Sequence, residues 1–372
     1  MKRFLITITI LLILPSAVFA AEEDYSTYIE SFDLSSFDEL DDATTDFLES
    51  LGVLDFDYEN LTNISIKDVF NHIINIVMMK MDGPLKSGLI VMVLIMLSSF
   101  FKSFNSELTS SSISSTYQTI TTLIISIFLV YKLTDCIAMS CSTIQLCANF
   151  AFAFFPAFCV IVATSGSTMT SFSVNTTLLI LSQGINYIAE LIFIPLINCF
   201  LALGICSGIR QELNLNSAIS MLKKLITGAV STISAVFVSI LSIKTSVASK
   251  ADALGLRSVR FAINSVVPVI GSSISEGLLS IQSYSSLIKT SVGIVGILAV
   301  AVIFLPALIE VNMWRIVLSL AGMCCDLFTD GQSSKSIDTF KDTLLIIDVL
   351  LILTMVTTII SIGILVAAKT AV

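Results

Sequence analysis

Long apolar stretches constrain the fold of this chain more than any other feature. They lie near 85–101, 118–138, 144–165, 176–208, 225–243, 291–311, 313–328 and 344–367. A helix needs roughly 20 apolar residues to cross the hydrocarbon core of a bilayer, and six of the stretches meet that length comfortably. The stretches lack the ten-residue alternation of a β-barrel, and lipid offers the backbone no hydrogen-bond partners. The sequence therefore predicts an all-α polytopic transmembrane bundle of about six to eight spans.

Two of the stretches are not simple spans. The one at 176–208 is long enough to tilt or break, and Gly184, Asn186, Glu190 and Pro195 interrupt it. The one at 313–328 is short and contains Arg315, so it is a candidate for half of a re-entrant hairpin.

Composition excludes an ordinary cytosolic enzyme. The chain is 55% hydrophobic and 13% charged, whereas soluble globular proteins average roughly 25% charged residues. A soluble domain of this size needs a more polar exterior than the sequence can supply.

The N-terminus has the pattern of a signal peptide over residues 1–20. Lys2 and Arg3 precede an apolar run, and Val18-Phe19-Ala20 provides small residues for cleavage after Ala20. The alternative is an uncleaved first span, but eleven apolar residues are short for that role. Cleavage predicts a mature N-terminus outside the cytoplasm.

Residues 21–83 are predicted to form a small acidic helical extracytoplasmic module. Between 22 and 82 there are 16 acidic and 2 basic side chains. A helix capped by Ser65 is expected to end at Asp82-Gly83-Pro84. Such an acidic face is repelled by nucleic acid and by anionic lipid, so no nucleic-acid partner is expected. It is either a solvated face or a docking surface for a basic partner. The membrane domain then covers 84–372.

Orientation follows from the extracytoplasmic module. Alternating spans place 244–260, which is rich in Lys and Arg, on the cytoplasmic side, as the positive-inside rule prefers. Lys223 and Lys224 flank the opposite end of 225–243 and disagree with this topology.

Polar residues within one apolar stretch form a candidate intramembrane cluster. Gln183, Asn186 and Glu190 share one helical face at this spacing. The cluster could line a polar path, or it could hold the bundle together by interhelical hydrogen bonds. Gly204 and Gly208 form a small-residue motif typical of close helix packing, either within one chain or between copies.

No catalytic constellation is present in the sequence. His72 is the single histidine, and the eight cysteines lack the two-residue spacing of redox or zinc motifs. No phosphate-binding loop of the GxxxxGK type occurs. We therefore expect no enzymatic activity, no cofactor and no metal site.

The segment 250–293 carries a family resemblance. Lys250-Ala251-Asp252 leads through Asn264-Ser265-Val266-Val267-Pro268 and Gly271 to Lys289-Thr290-Ser291-Val292-Gly293, followed by a span containing Pro306. This order resembles the stage III sporulation protein AE family over roughly 220–367. The family has no established catalytic motif, so the resemblance supplies no active site.

The resemblance implies a location and a task. Members are multi-pass proteins of the mother-cell-derived membrane around the forespore, and they belong to a secretion-like channel complex that links the two cells. The complex supports forespore development and late forespore gene expression. Implied partners are other stage III sporulation membrane proteins and a separate ATPase, besides the lipid bilayer. A homo-oligomer is also possible.

The alternative function is a stand-alone secondary transporter. Gln183, Asn186 and Glu190 would then form a midplane site in an interrupted helix. The two halves of the sequence show no convincing internal repeat, which disfavours this alternative.

Overall fold

A computed structural model describes residues 66–105, 111–209, 215–266, 271–328 and 332–367, and within these ranges the elements are all helical. The predicted signal peptide and residues 21–65 of the acidic module lie outside the described residues. The all-α prediction is confirmed for the described part of the chain.

Seven α-helices and one π-helix make up this part. They are α1 Ile66–Asn105, α2 Ser111–Thr164, α3 Thr168–Ile188, the π-helix Ala189–Phe193, α4 Ile194–Ile209, α5 Asn216–Val266, α6 Gly271–Phe328 and α7 Gln332–Ala367.

Glycines set the closest helix approach. Phe154 and Phe158 of α2 lie against Gly296 and Gly293 of α6, so these two helices run antiparallel. The rings of Phe150, Phe154 and Phe158 stack along α2, with centroids 5.1 Å and 5.2 Å apart. A side chain in place of either glycine would occupy the space that these rings fill.

α6 is the central helix and α5 is peripheral. In the most apolar segment of α6, 72% is buried inside the bundle. The buried share of the corresponding segment of α5 is 22%. α6 packs most extensively on α7, and also on α1 and α2. α5 therefore presents most of its surface outward.

Within the described residues, five helices are long and apolar enough to span a membrane, whereas the sequence predicted about six to eight spans. They are Ile76–Phe100, Thr119–Thr164, Ser217–Gly255, Ser283–Leu327 and Ser336–Ala367, with Leu191–Cys206 as a shorter apolar helix. The stretches at 118–138 and 144–165 belong to one helix, as do those at 291–311 and 313–328. The polar residues between two neighbouring apolar stretches do not end the helix when other helices pack against it.

The predicted hairpin at 313–328 is wrong. Arg315 lies within α6, where a carboxylate of α7 pairs with its charge, so the helix continues. The predicted helix end at Asp82-Gly83-Pro84 is also wrong, because α1 runs through a buried Pro84. Apolar helices tolerate proline when neighbouring groups satisfy the freed backbone carbonyl.

The interruption expected in 176–208 is a π-helix. It begins at Ala189 and ends at Phe193, one residue before α4. Its wider turn inserts an extra residue, which changes the direction in which the following side chains point.

Gly296→Ala should destabilise the bundle. The added methyl carbon would overlap the Phe154 ring, and overpacking of this kind costs about 1–3 kcal/mol. Gly363→Ala is the matched control, because nothing lies within 4 Å of the position of its Cβ. We expect a lower thermal midpoint in detergent for Gly296→Ala, and an unchanged or slightly higher one for Gly363→Ala. Equal midpoints for the two variants would contradict this packing.

Candidate functional site

Asp252 of α5 caps the N-terminus of α3. Its carboxylate accepts the backbone N–H groups of Met169 and Thr170 at 2.7 Å and 2.9 Å, and the Thr170 hydroxyl at 2.7 Å. The first amides of a helix lack intrahelical acceptors and carry partial positive charge, so a carboxylate stabilises them. Asp252 is only 4% exposed. This contact fastens α3 to α5 at a buried position.

Ser167 occupies the N-cap position of α3 but does not cap the helix. Ser167 immediately precedes the helix and is fully buried, and its hydroxyl has no hydrogen-bond partner within the described residues. Serine in this position ordinarily accepts an amide of the first turn. Gly166, at φ 88°, turns the chain just before it. Asp252 has thus taken the amides that Ser167 would otherwise bind.

Asn312, Arg315 and Asp348 form a second buried polar contact, which joins α6 to α7. Nη1 of Arg315 donates to Asp348 Oδ2 at 2.8 Å and to Asn312 Oδ1 at 3.1 Å. Nδ2 of Asn312 donates to Asp348 Oδ1 at 2.8 Å and to the Leu308 carbonyl at 2.8 Å. Both carboxylate oxygens therefore have partners, as a buried charge requires.

Asp348 is buried, at 5% exposed. Glu310 of α6 accepts a hydrogen bond from Lys80 Nζ of α1 at 2.9 Å. Lys223, which disagreed with the predicted topology, pairs with Asp342 of α7 at 2.5 Å. Each of these charges is compensated by a residue of a different helix.

The predicted cluster of Gln183, Asn186 and Glu190 lies on α3 and the π-helix. Gln183 has an exposed side chain. Asn186 is in the last turn of α3, and Glu190 is the second residue of the π-helix. The π-helix begins between Asn186 and Glu190, and the shared face of the three residues stays a prediction.

The π-helix contacts the bundle through apolar side chains. Ala189 and Phe193 are buried. A small apolar cavity beside it is lined by Ile137, Ser140, Cys141, Ile144, Ala189, Ile194, Ile197, Ile347 and Leu350. α2, the π-helix with α4, and α7 therefore meet at this level.

The residues of the family-like segment have separate surroundings. Lys250 is exposed on α5, Gly271 begins α6, and Pro268 lies outside the described residues. Lys289 is 2% exposed within α6. Gly293 packs against Val366 and Phe158. Asp252 bonds to the first residues of α3.

The two candidate packing glycines lie on α4. Gly204 faces Thr339 of α7, whose Cγ2 would overlap an added Cβ. Gly208 is in the last turn of the same helix. The contact at Gly204 is within one chain.

Sequence reasoning missed the partners of these polar groups. Asp252 and Thr170 are 82 positions apart, and Lys80 and Glu310 are 230 apart. Asn312 and Arg315 share a helical face at a spacing of three, which was the local signal for the contact with Asp348. Within the described residues, no group of three His, Cys, Asp or Glu side chains could hold a metal ion.

Asp252→Ala should destabilise α3 strongly, because a hydrogen bond to a buried charge contributes about 1.5–3 kcal/mol. Ser167→Ala alone should be nearly neutral, since its hydroxyl is unbonded. In the Asp252→Ala background, however, Ser167→Ala should cost about 1 kcal/mol more, because Ser167 then serves as the cap. Asp82→Ala is a control, as its carboxylate forms an exposed pair with Lys86.

The measurements are thermal midpoints in detergent and amide hydrogen exchange over 168–175. Exchange there should accelerate in Asp252→Ala and accelerate again in the double variant. Additive effects of the two substitutions would contradict the prediction that Ser167 caps α3 once Asp252 is removed.

Comparison with known proteins assigns the family. The family model for stage III sporulation protein AE matches residues 53–369, a range that includes all the described helices. Stage III sporulation protein AE of Bacillus subtilis (strain 168) is 25% identical over 154 residues, which are 41% of this chain and 39% of that protein. The aligned region is thus well under half of the relative. No solved structure matches the chain. The chain belongs to the stage III sporulation protein AE family.

Proposed function

We propose that this protein is a membrane component of the secretion-like channel complex that links the mother cell to the forespore during sporulation. The observation that carries the proposal is the family match, which runs from residue 53 to residue 369 and so covers the whole apolar bundle. In this role the protein supports forespore development and late forespore gene expression.

The length of the apolar helices supports assembly with other chains. The apolar part of α2 is 46 residues long and that of α6 is 45, or about 68 Å each at 1.5 Å per residue. The hydrocarbon core of a bilayer is about 30 Å thick. Even a tilt of about 40° leaves more than 50 Å along the membrane normal. Lipid alone does not cover such helices.

One of these long helices has apolar side chains exposed at regular intervals. On α2, Ile120, Ile124, Ile127 and Tyr131 are 49–68% exposed at helical spacing. Such a stripe on a single chain is typical of a protein interaction surface. Within the proposal, other stage III sporulation membrane proteins or further copies of this chain bind there. A separate ATPase supplies energy, because the sequence has no nucleotide-binding loop.

The proposed location is the mother-cell-derived membrane around the forespore. The acidic N-terminal module, residues 21–83, is extracytoplasmic in this arrangement and projects between the two membranes. The protein itself is a structural component without catalytic activity. The single histidine and the absence of a nucleophile motif in the sequence support that view.

Deletion of the gene in its endospore-forming host tests the role. Development should stop after engulfment, and heat-resistant spores should fall by orders of magnitude. A wild-type copy expressed in the mother cell should restore spores, whereas one expressed only in the forespore should not. Normal spore yield in the deletion strain would overturn the assignment.

Complementation with Glu190→Gln separates the channel component from a stand-alone transporter. A transporter that depends on an intramembrane carboxylate should lose function when this charge is removed. A channel component should restore spore formation, with at most some loss of protein stability. Immunoblots of the membrane fraction provide the control for protein level.

A further inference from the structure

A groove lined by both charged and apolar side chains lies between α6 and α7 beside the Arg315–Asp348 pair. Its volume is about 250 Å³, and it is lined by Asn312, Arg315, Ile316, Ser319, Lys341, Asp342 and Leu345. Three of these side chains are charged, although both helices are apolar enough to span a membrane. Charged groups in such helices are costly unless they bind something.

The unused hydrogen-bonding capacity of the groove consists mainly of donors. Arg315 has five N–H donors, and Nη1 serves both of its partners. Its Nε and Nη2 groups bond to nothing in the described part of the chain, and the side chain is 27% exposed. The Ser319 hydroxyl is likewise without a partner among the described residues. Among the described residues, Lys341 pairs with Asp338 alone, in an exposed contact at 3.0 Å.

The carboxylates around the groove are already engaged. Asp348 uses both oxygens on Arg315 and Asn312, and Asp342 accepts Lys223. With Asp338, three carboxylates balance the three cations Arg315, Lys341 and Lys223. A neutral setting with spare donors suits an anion of single charge with several oxygens, such as a phosphodiester, better than a multiply charged anion.

The position of the groove along the helix axes agrees with the level expected for a lipid phosphate. On α6, the 20 residues 290–309 carry no charge and lie between Lys289 and Glu310. On α7, residues 349–367 are equally free of charge and follow Asp348. Each segment is about 30 Å long, which is the thickness of the hydrocarbon core. The groove lies at one end of this uncharged layer, where headgroups would be.

An apolar stripe leads from the groove into the same layer. Leu345, Val349, Ile352 and Val356 of α7 follow one another at helical spacing, and each is partly exposed. From the first to the last the stripe is about 16 Å long, close to half the hydrocarbon core, which is one leaflet. Acyl chains attached to a phosphate in the groove would lie along it.

We propose that the groove between α6 and α7 binds the phosphodiester headgroup of an anionic phospholipid. Arg315, through Nε and Nη2, Ser319 and Lys341 donate to the phosphate oxygens, and the stripe on α7 receives the acyl chains. The bound lipid fixes the level of this part of the bundle in the membrane. This site does not depend on the proposed function.

The test uses the full chain purified in a neutral detergent. Phosphatidylglycerol is titrated, and bound lipid is counted by native mass spectrometry, with the rise in thermal midpoint as a second measurement. Lys341→Gln should weaken binding about fivefold, the effect of one basic residue near a membrane surface. Lys86→Gln is the matched control, because Lys86 also forms an exposed pair within one helix, with Asp82.

Arg315→Lys provides a second variant that keeps the charge opposite Asp348. It should fold, as shown by its elution and thermal midpoint without lipid, and yet bind phosphatidylglycerol more weakly, because an ammonium lacks the planar fork of donors. Equal lipid binding by wild type, Lys341→Gln and Arg315→Lys would overturn the proposal.

Two further titrations distinguish the source of the phosphate. Glycerol 3-phosphate or inorganic phosphate should not displace the lipid at millimolar concentration, because neither occupies the apolar stripe. Efficient displacement would show a site for free phosphate and overturn the lipid proposal. Phosphatidylcholine should bind more weakly than phosphatidylglycerol, and equal affinity would also contradict it.

Discussion

Three carboxylates inside this bundle have their partners on other helices, and these contacts fix which helices are neighbours. Asp252 binds the first amides of α3, Asp348 binds Arg315 and Asn312 of α6, and Glu310 binds Lys80 of α1. Between apolar helices in lipid, association gains little from hydrophobicity, so hydrogen bonds and close packing decide the arrangement. Removal of one partner leaves a buried charge without compensation, which is far more costly than the loss of a surface pair.

Helices pack closely against one another at positions between these polar contacts. Gly293 and Gly296 of α6 face the ring stack of α2, and Gly204 of α4 faces Thr339 of α7. The small residues allow the backbones to approach, and the polar pairs set the register along the helix axes. α5 is the most exposed of the five long apolar helices in the described part of the chain. It is held through Asp252, and through Lys244, which donates to Thr177 at 2.8 Å.

Hydropathy predicted the class of fold correctly, because apolar runs of this length have no other stable form in lipid. It failed on helix boundaries because a charge such as Arg315 lowers local hydropathy in the same way as a true helix end. Only the position of Asp348, 33 residues further along, distinguishes the two cases. Periodicity also gave no sign of the π-helix at Ala189–Phe193, whose second residue is Glu190 of the predicted cluster. No short-range signal in the sequence identified the cap between Asp252 and Thr170.

The uncharged layer divides the bundle into a part that matches the thickness of the bilayer and a part that extends beyond it. Residues 290–309 of α6 match the thickness of one bilayer, whereas the apolar helix continues for some 17 residues past Glu310. There Ile316, Leu320, Met323 and Leu327 are 44–79% exposed at helical spacing. If lipid covers the first part, the second lies beyond it, and water is a poor solvent for such a stripe. The described part of the chain therefore leaves apolar surface uncovered beyond the lipid, which supports the proposal that this bundle is one component of a larger membrane assembly.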